Sequence, residues 1–182
     1  MTNKEKILFI QTAFPGDAIL TLPALQMLKQ ANPDSLIDVL CIPGTKEIFE
    51  SSESVDNVIV LDKKGIHKSI LKTYKFSGEL SKNNYSKVYS AHRSFRTALI
   101  VLNLQVEESF GFDNSSLMHV YKNIVPYHFN KHEVQRNLDL IGFEYDNLNW
   151  KIKPIVNTTI EVKSKVKEFI LSNELNKGFI AV

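Results

Sequence analysis

The sequence predicts an α/β fold, a Rossmann-like parallel sheet with helices on both faces. Residues 7–10 form a short run that is apolar at every position, which is typical of a strand covered on both sides. Similar runs alternate with segments of helical periodicity, and this alternation indicates βαβ units with right-handed crossovers. The 182 residues are 43% hydrophobic and 23% charged, as expected for a globular domain with a sizeable core.

The first helix is predicted to begin at Asp17 and to end at Asn32-Pro33. Its buried face is predicted to consist of Ala18, Leu22, Leu25 and Leu28. Pro23 lies too deep for a first-turn proline, so either the helix is kinked there or Thr21 caps a second start.

The remaining elements follow the same alternation. Strands are predicted over 36–42, 58–61, 87–90 and 108–112. Helices are predicted over 46–50, 66–82, 94–104 with Ser94 as cap, 132–141 ending at Gly142, and from Thr158 or Thr159 to about 171. Residues 113–131 show no clear period, and we expect a functional loop there. Residues 178–182 resemble the first strand of another α/β unit, which either pairs with the existing sheet or begins a second domain. We predict one domain over 1–177 and the start of a second over 178–182.

Composition and charge exclude several classes of protein. The net charge of +2 is too small to indicate a nucleic-acid partner. The single cysteine, Cys41, lies in an apolar run and is predicted to be a buried structural thiol. The amino terminus lacks the apolar region of a signal peptide, and no stretch is long enough to span a bilayer. We therefore expect a cytoplasmic protein.

The turn between the first strand and the first helix contains the first candidate group, Asp17. In an open α/β sheet this junction faces the crevice where ligands bind. Asp17 is either the N-cap of the helix or a general base, and the two roles are compatible. Gly16 beside it would let a ligand approach the backbone.

Two basic clusters follow later strands. His92, Arg93 and Arg96 come directly after the fourth strand, where side-chain donors and free backbone N–H groups can bind an anion. Arg93 and Arg96 are three apart and are predicted to share a helix face, as are His132 and Arg136 at a spacing of four. The alternatives are a solvated basic turn and an ordinary surface helix.

The sequence contains no recognisable metal or dinucleotide signature. Paired cysteines, His-Glu-x-x-His and clustered Asp-x-Asp are absent, so no metal site is predicted. The Gly-x-Gly-x-x-Gly and Walker loops are absent as well, which argues against a dinucleotide or nucleoside-triphosphate site, and no cofactor is predicted.

Five segments together resemble the bacterial ADP-heptose:lipopolysaccharide heptosyltransferases, glycosyltransferase family 9. They are ILFIQTAFPGDAILTLPAL at 7–25, IDVLC at 37–41, RSFRTALI at 93–100, ESFGF at 108–112 and HEVQRNLDLIG at 132–142. The first is the most specific. The chain resembles the amino-terminal, acceptor-binding half of this family, whose enzymes have two Rossmann-like domains in the GT-B arrangement.

The resemblance implies an inverting transfer of heptose from ADP-heptose to a lipopolysaccharide inner-core acceptor, with Asp17 as the base. It also implies that an absent carboxyl-terminal domain binds most of the donor, and the family's His-x-x-x-Arg-Asn pattern falls on His132, Arg136 and Asn137 without a role attached to it. From the chemistry of their side chains and of the turn, we expect the acceptor to be bound by Gly16, His92, Arg93, Arg96, His132 and Arg136. Because the acceptor belongs to a membrane surface, peripheral contact with the inner membrane is expected, although the sequence pattern shows no amphipathic anchor. The alternatives are a non-catalytic saccharide-binding module and a flavodoxin-like interaction domain in which Asp17 is only a cap.

Overall fold

The computed structural model describes residues 4–175 and Gly178, and a six-stranded parallel sheet lies at its centre. The strands are β1 (Lys6–Ile10), β2 (Leu36–Cys41), β3 (Asn57–Val60), β4 (Lys87–Ser90), β5 (Glu108–Phe112) and β6 (Asn123–Val125). Their order in the sheet is β3-β2-β1-β4-β5-β6, and every neighbouring pair is parallel. The predicted fold class is confirmed.

Helices cover both faces of this sheet. They are α1 (Pro15–Ala31), α2 (Lys46–Glu50), α3 (Ile70–Leu80), α4 (Phe95–Leu104), α5 (Glu133–Leu140) and α6 (Ile160–Ser172). Alternate residues of β1 enter two separate cores, as the period of two requires. Ile7 and Phe9 pack with residues of α1 and α2, whereas Leu8 and Ile10 pack with residues of α4. Cys41 is buried, as predicted, and burial raises the pKa of its thiol to about 11.

Two helix starts differ from the prediction. Helix α1 begins at Pro15, because proline needs no N–H partner in a first turn. It continues without a second start through Pro23, and the Thr21 hydroxyl donates to the carbonyl of Asp17 (2.8 Å). Helix α3 begins at Ile70 rather than 66, because the Ser69 hydroxyl accepts the N–H of Lys72 and caps it there. The predicted cap of α4, Ser94, is confirmed by its hydrogen bond from the N–H of Thr97.

The segment predicted to be a loop over 113–131 contains a strand that the sequence did not reveal. Strand β6 is only three residues long and lies at the edge of the sheet, where it pairs with β5. Tyr121, just before it, packs its ring against Gly111 of β5 and donates a hydrogen bond to the Ser90 hydroxyl (3.2 Å). Gly111 has no side chain to displace that ring.

The carboxyl-terminal part of the described chain leaves the sheet. Residues 150–157 run past α1, where Gln26 bonds the backbone of Lys153 and Ile155. Helix α6 is capped by Thr159, as predicted, and buries none of its residues. Residues 179–182 of the predicted further strand lie outside the described residues, so the boundary at 177 stays a prediction. In the part of the chain that the structure describes, no helix is long and apolar enough to cross a membrane.

Candidate functional site

The direction of chain progression across the sheet reverses at β1. The chain passes from β1 outward to β2 and β3, and then returns to the other side of β1 with β4. At such a switch point the loops after the two central strands separate and leave a crevice at the carboxyl ends of the strands. The segment after β1, with Asp17, and the segment after β4, with His92 and Arg93, both begin at this edge. The first two candidate clusters therefore lie at one edge of the sheet.

Asp17 is the third residue of α1. Its Oδ2 accepts a hydrogen bond from the backbone N–H of Phe14 (3.2 Å), so it caps the helix from inside the first turn, not from the predicted N-cap position. The side chain is half-buried, and no salt bridge among the described residues includes it. Gly16 is exposed, and no atom lies within 4 Å of the position that a Cβ would occupy. The first turn of a helix is a favourable place for a carboxylate, and the neighbouring Gly16 leaves the backbone open to a ligand.

His92 is held by two hydroxyl groups. Its Nδ1 lies 2.9 Å from Oγ1 of Thr12 and 3.1 Å from Oγ1 of Thr97. Burial, followed by the nearby positive charges of Lys63 and Arg93, lowers the pKa of His92 to about 4, against a smaller opposing effect of Asp17. At neutral pH His92 is therefore a neutral hydrogen-bonding group. In the predicted cluster His92 is thus the hydrogen-bonding member, and the positive charge comes from the arginines.

The lowered pKa of His92 makes the stability of the fold depend on pH. Because the folded pKa of about 4 lies below the ordinary 6.5, the unfolded state binds more protons between these values. We expect the free energy of unfolding to fall as the pH drops from 6.5 towards 4, measured as the urea midpoint at pH 7.5 and pH 5. The variant His92→Gln should lose part of this dependence, whereas the exposed His119→Gln should keep it. An equal dependence in all three proteins would contradict the assignment.

Lys63 is a site residue that the sequence reasoning missed. Its Nζ donates to the carbonyl of Thr12 (2.7 Å), which joins the loop after β3 to the loop after β1. Burial, helped by the charge of Arg96, lowers the pKa of Lys63. The signal was present in the sequence, because Lys63 closely follows the predicted strand over 58–61, whose carboxyl end shares this edge.

Arg93 lies over an aromatic ring at the same edge. The centre of its guanidinium is 4.2 Å from the ring centroid of Tyr127, and that of Arg136 is 4.7 Å from the same centroid. Among the described residues, the Arg93 side chain has no hydrogen-bond acceptor, so its N–H groups are free to bind an anion. The contact with the Tyr127 ring holds the guanidinium at this edge. Tyr127 comes from the segment that lacked a period, so sequence spacing could not reveal this contact.

Arg96 is committed to the fold rather than free at the edge. Its guanidinium donates to the carbonyls of His67 (2.7 Å) and Lys68 (2.9 Å) and to the hydroxyl of Thr73. It does not share a helix face with Arg93, because α4 begins at Phe95 and Arg93 lies before the cap. Arg96 therefore anchors the loop that carries Lys63.

The third predicted cluster is also largely structural. His132 is the N-cap of α5, and its Nδ1 accepts the N–H of Val134 (3.2 Å), so it does not share a helix face with Arg136. Arg136 pairs with Glu133 (Nε to Oε2, 3.0 Å) and donates to the carbonyl of Lys131. These contacts leave Arg136 fewer free donors than Arg93.

The edge therefore combines the Asp17 carboxylate, the neutral imidazole of His92 and the cationic groups of Lys63 and Arg93. Asp17 can accept a proton from a hydroxyl that lies against the open side of Gly16. Lys63 and Arg93 can hold negative charge on the same molecule. This arrangement suits activation of a hydroxyl on an anionic compound.

No family model matches the chain. A curated protein, lipopolysaccharide heptosyltransferase 3 of Escherichia coli K12, is 26% identical over 138 residues, which cover 70% of this chain and 39% of that protein. Among solved structures, a glycosyl transferase of family 9 from Veillonella parvula aligns with a TM-score of 0.80 and 20% identity. That alignment covers 95% of this chain and 51% of the other.

Two further solved structures have the same fold over half of their length. E. coli ADP-heptose lps heptosyltransferase II aligns with a TM-score of 0.72 and 18% identity over 90% of this chain and 50% of its own. E. coli heptosyltransferase WaaC with ADP-2-deoxy-2-fluoro heptose aligns with a TM-score of 0.66 and 22% identity. That alignment covers 78% of this chain and 50% of the WaaC chain. The fold is that of one Rossmann-like half of a GT-B glycosyltransferase. The resemblance to the glycosyltransferase family 9 heptosyltransferases is confirmed, and the chain spans about half the length of the solved relatives that it matches.

Proposed function

We propose that this chain is the acceptor-binding half of an inverting heptosyltransferase, which transfers heptose from ADP-heptose to a lipopolysaccharide core acceptor. The observation that supports this most directly is the position of Asp17. Its carboxylate lies at the switch point of the sheet, bonded to one backbone N–H and beside open space. The names of the relatives supply the donor and acceptor classes.

In the proposed reaction an acceptor hydroxyl attacks the anomeric carbon of the heptose from the face opposite to ADP. The new C–O bond forms, the bond to the diphosphate breaks, and ADP leaves with its electron pair. The hydroxyl proton passes to the Asp17 carboxylate. A carboxylate is a weak base, but it suffices here because the transition state resembles an oxocarbenium ion and the hydroxyl becomes acidic late.

The two cationic groups have a separate proposed task. Inner-core saccharides carry carboxylate and phosphate groups, which suit the forked donors of Arg93 and the ammonium of Lys63. Gly16 lets the saccharide approach the backbone, and His92 contributes a neutral hydrogen bond. A second domain binds most of the donor, so we expect the 182 residues alone to bind acceptor without transferring heptose. We propose a cytoplasmic location with peripheral membrane contact.

Removing the Arg93 guanidinium tests acceptor binding without any catalysis. Titration calorimetry of the 182-residue chain with a delipidated inner-core oligosaccharide should show binding, and Arg93→Ala should weaken it about 10- to 100-fold, because charge-assisted hydrogen bonds are lost. Tyr127→Phe keeps the aromatic ring under the guanidinium and should bind normally. Unchanged affinity in Arg93→Ala would remove this residue from the acceptor site. An absence of saccharide binding in the unmodified chain would favour the flavodoxin-like alternative.

A further inference from the structure

The loop after β3 and most of helix α3 form a basic segment of the chain. Residues 63–78 include five lysines and no acidic residue, although the whole chain has a net charge of only +2. Lys64, Lys68, Lys72 and Lys75 are exposed, and no salt bridge among the described residues includes them. The adjacent carboxylate of Asp62 is turned into its own loop, where it accepts the N–H groups of Lys64 and Gly65.

Large apolar side chains are exposed between these lysines. Ile66 is 67% exposed, Leu71 82% and Tyr74 60%. The opposite side of α3 packs against α4, and its buried residues are Thr73, Ser77 and Leu80. Leu71 and Tyr74 therefore point away from the fold because the helix already buries its other face. Helix α6 also exposes apolar side chains, but its lysines are flanked by Glu161 and Glu168, and Lys165 pairs with Glu161.

This surface is held firmly next to the candidate site. The Arg96 guanidinium bonds the carbonyls of His67 and Lys68, which fixes the loop against α4. A Cβ on Gly65 would lie 2.1 Å from Oδ2 of Asp62, so a larger residue there would displace the carboxylate that accepts the N–H groups of this loop. Lys63, at the start of the segment, reaches the carbonyl of Thr12 beside the Asp17 turn. Whatever binds this surface is therefore brought next to the switch point.

We propose that the surface formed by Lys64, Ile66, Lys68, Leu71, Lys72 and Tyr74, the basic-apolar surface, binds an anionic phospholipid membrane. Lysines attract the headgroups, and isolated apolar side chains between them can enter the boundary between headgroups and acyl chains. A polyanion such as RNA would use the charge but would leave Ile66 and Leu71 in water, so a membrane fits better. The inference rests on the proposed function only in its purpose, which is to bring the candidate site to an acceptor in the membrane. Vesicle binding itself is measured without heptose transfer.

Vesicle sedimentation with the 182-residue chain tests the proposal. We expect binding to vesicles of phosphatidylglycerol and phosphatidylethanolamine, and little binding to phosphatidylcholine alone. The triple variant K64Q/K68Q/K72Q should lower the partition coefficient about 100-fold, since each lysine near an anionic surface contributes a several-fold gain. Leu71→Ser should lower it about tenfold, because a side chain that enters the membrane is lost.

The variant K4Q/K6Q/K82Q is a matched control, because it removes the same charge near the amino ends of the strands. Its vesicle binding should be unchanged, since electrostatic attraction decays within a Debye length. Equal losses in both triple variants, or no loss in either, would overturn the proposal, as would retention on heparin without vesicle binding. In an enzyme with both domains, K64Q/K68Q/K72Q should transfer heptose to a delipidated acceptor at the normal rate. Absence of transfer in the unmodified enzyme would refute the proposed function and leave the vesicle result unaffected.

Discussion

Replacing Asp17 by Asn is expected to lower heptose transfer by about 10²- to 10⁴-fold in an enzyme that contains both domains, the usual contribution of a general base. The amide oxygen can still accept the N–H of Phe14, which the carboxylate accepts at 3.2 Å, so the start of α1 is preserved. The variant loses only the ability to take up a proton. The measurement is kcat with a delipidated inner-core acceptor, together with calorimetric acceptor binding, which should stay near normal.

Asp146→Asn provides the matched control for this change. Asp146 also holds a turn through backbone N–H groups, those of Leu148 and Asn149, but it lies in the loop after α5. We expect normal transfer in that variant. Near-normal turnover in Asp17→Asn would remove Asp17 from the mechanism and leave it as a helix cap. Acceptor binding without transfer, in an unmodified protein that has both domains, would instead support the saccharide-binding alternative.

Gly111→Ala is expected to lower the free energy of unfolding by about 1–3 kcal/mol, the usual cost of overpacking a core. A Cβ there would lie 2.6 Å from three carbons of the Tyr121 ring, which is buried and has little room to move. Displacing the ring would also disturb the hydrogen bond from its hydroxyl to Ser90, at the carboxyl end of β4. Urea unfolding followed by circular dichroism measures the change.

Gly44→Ala is a control that shows whether the clash with the Tyr121 ring causes the loss of stability in Gly111→Ala. No atom lies within 4 Å of the position of a Cβ at Gly44, so the added methyl group meets nothing. In both variants the Gly→Ala substitution lowers the conformational entropy of the unfolded chain, which favours the folded state. At Gly44 no steric clash opposes this effect, so we expect no destabilisation. A similar loss of stability at the two positions would show that the contact with Tyr121 is not the cause.

Most of the fold could be predicted because its signals are local. The strands at 87–90 and 108–112 were placed at their observed bounds, because each is a short run that holds branched or aromatic β-forming residues and is bounded by polar or turn residues. The missed strand, Asn123–Val125, is too short and too exposed to produce a period of two. Its pairing with β5 forms only once β5 is in the sheet.

The candidate site was predicted in its position but not in its contacts. Asp17 and His92 follow strands, so their common edge follows from the parallel topology alone. Residue spacing could not show that Arg93 is free to bind an anion whereas Arg96 is committed to the fold. Arg93 lies over the Tyr127 ring, and Arg96 is hydrogen-bonded to the loop at 67–68. These partners lie about 30 residues away along the chain, on other elements.

The sequence by itself determined the α/β class, the order of the elements apart from β6, and the place of Gly16 and Asp17 after the first strand, because apolar periodicity and turn residues act over a few neighbouring positions. Only the tertiary structure decided which charged groups remain free at the sheet edge. Burial keeps the His92 imidazole neutral, and the guanidinium groups of Arg96 and Arg136 donate to backbone carbonyls. The Lys63 ammonium lies against the carbonyl of Thr12. Desolvation and long-range hydrogen bonds depend on three-dimensional neighbours, and residue spacing along the chain does not encode them.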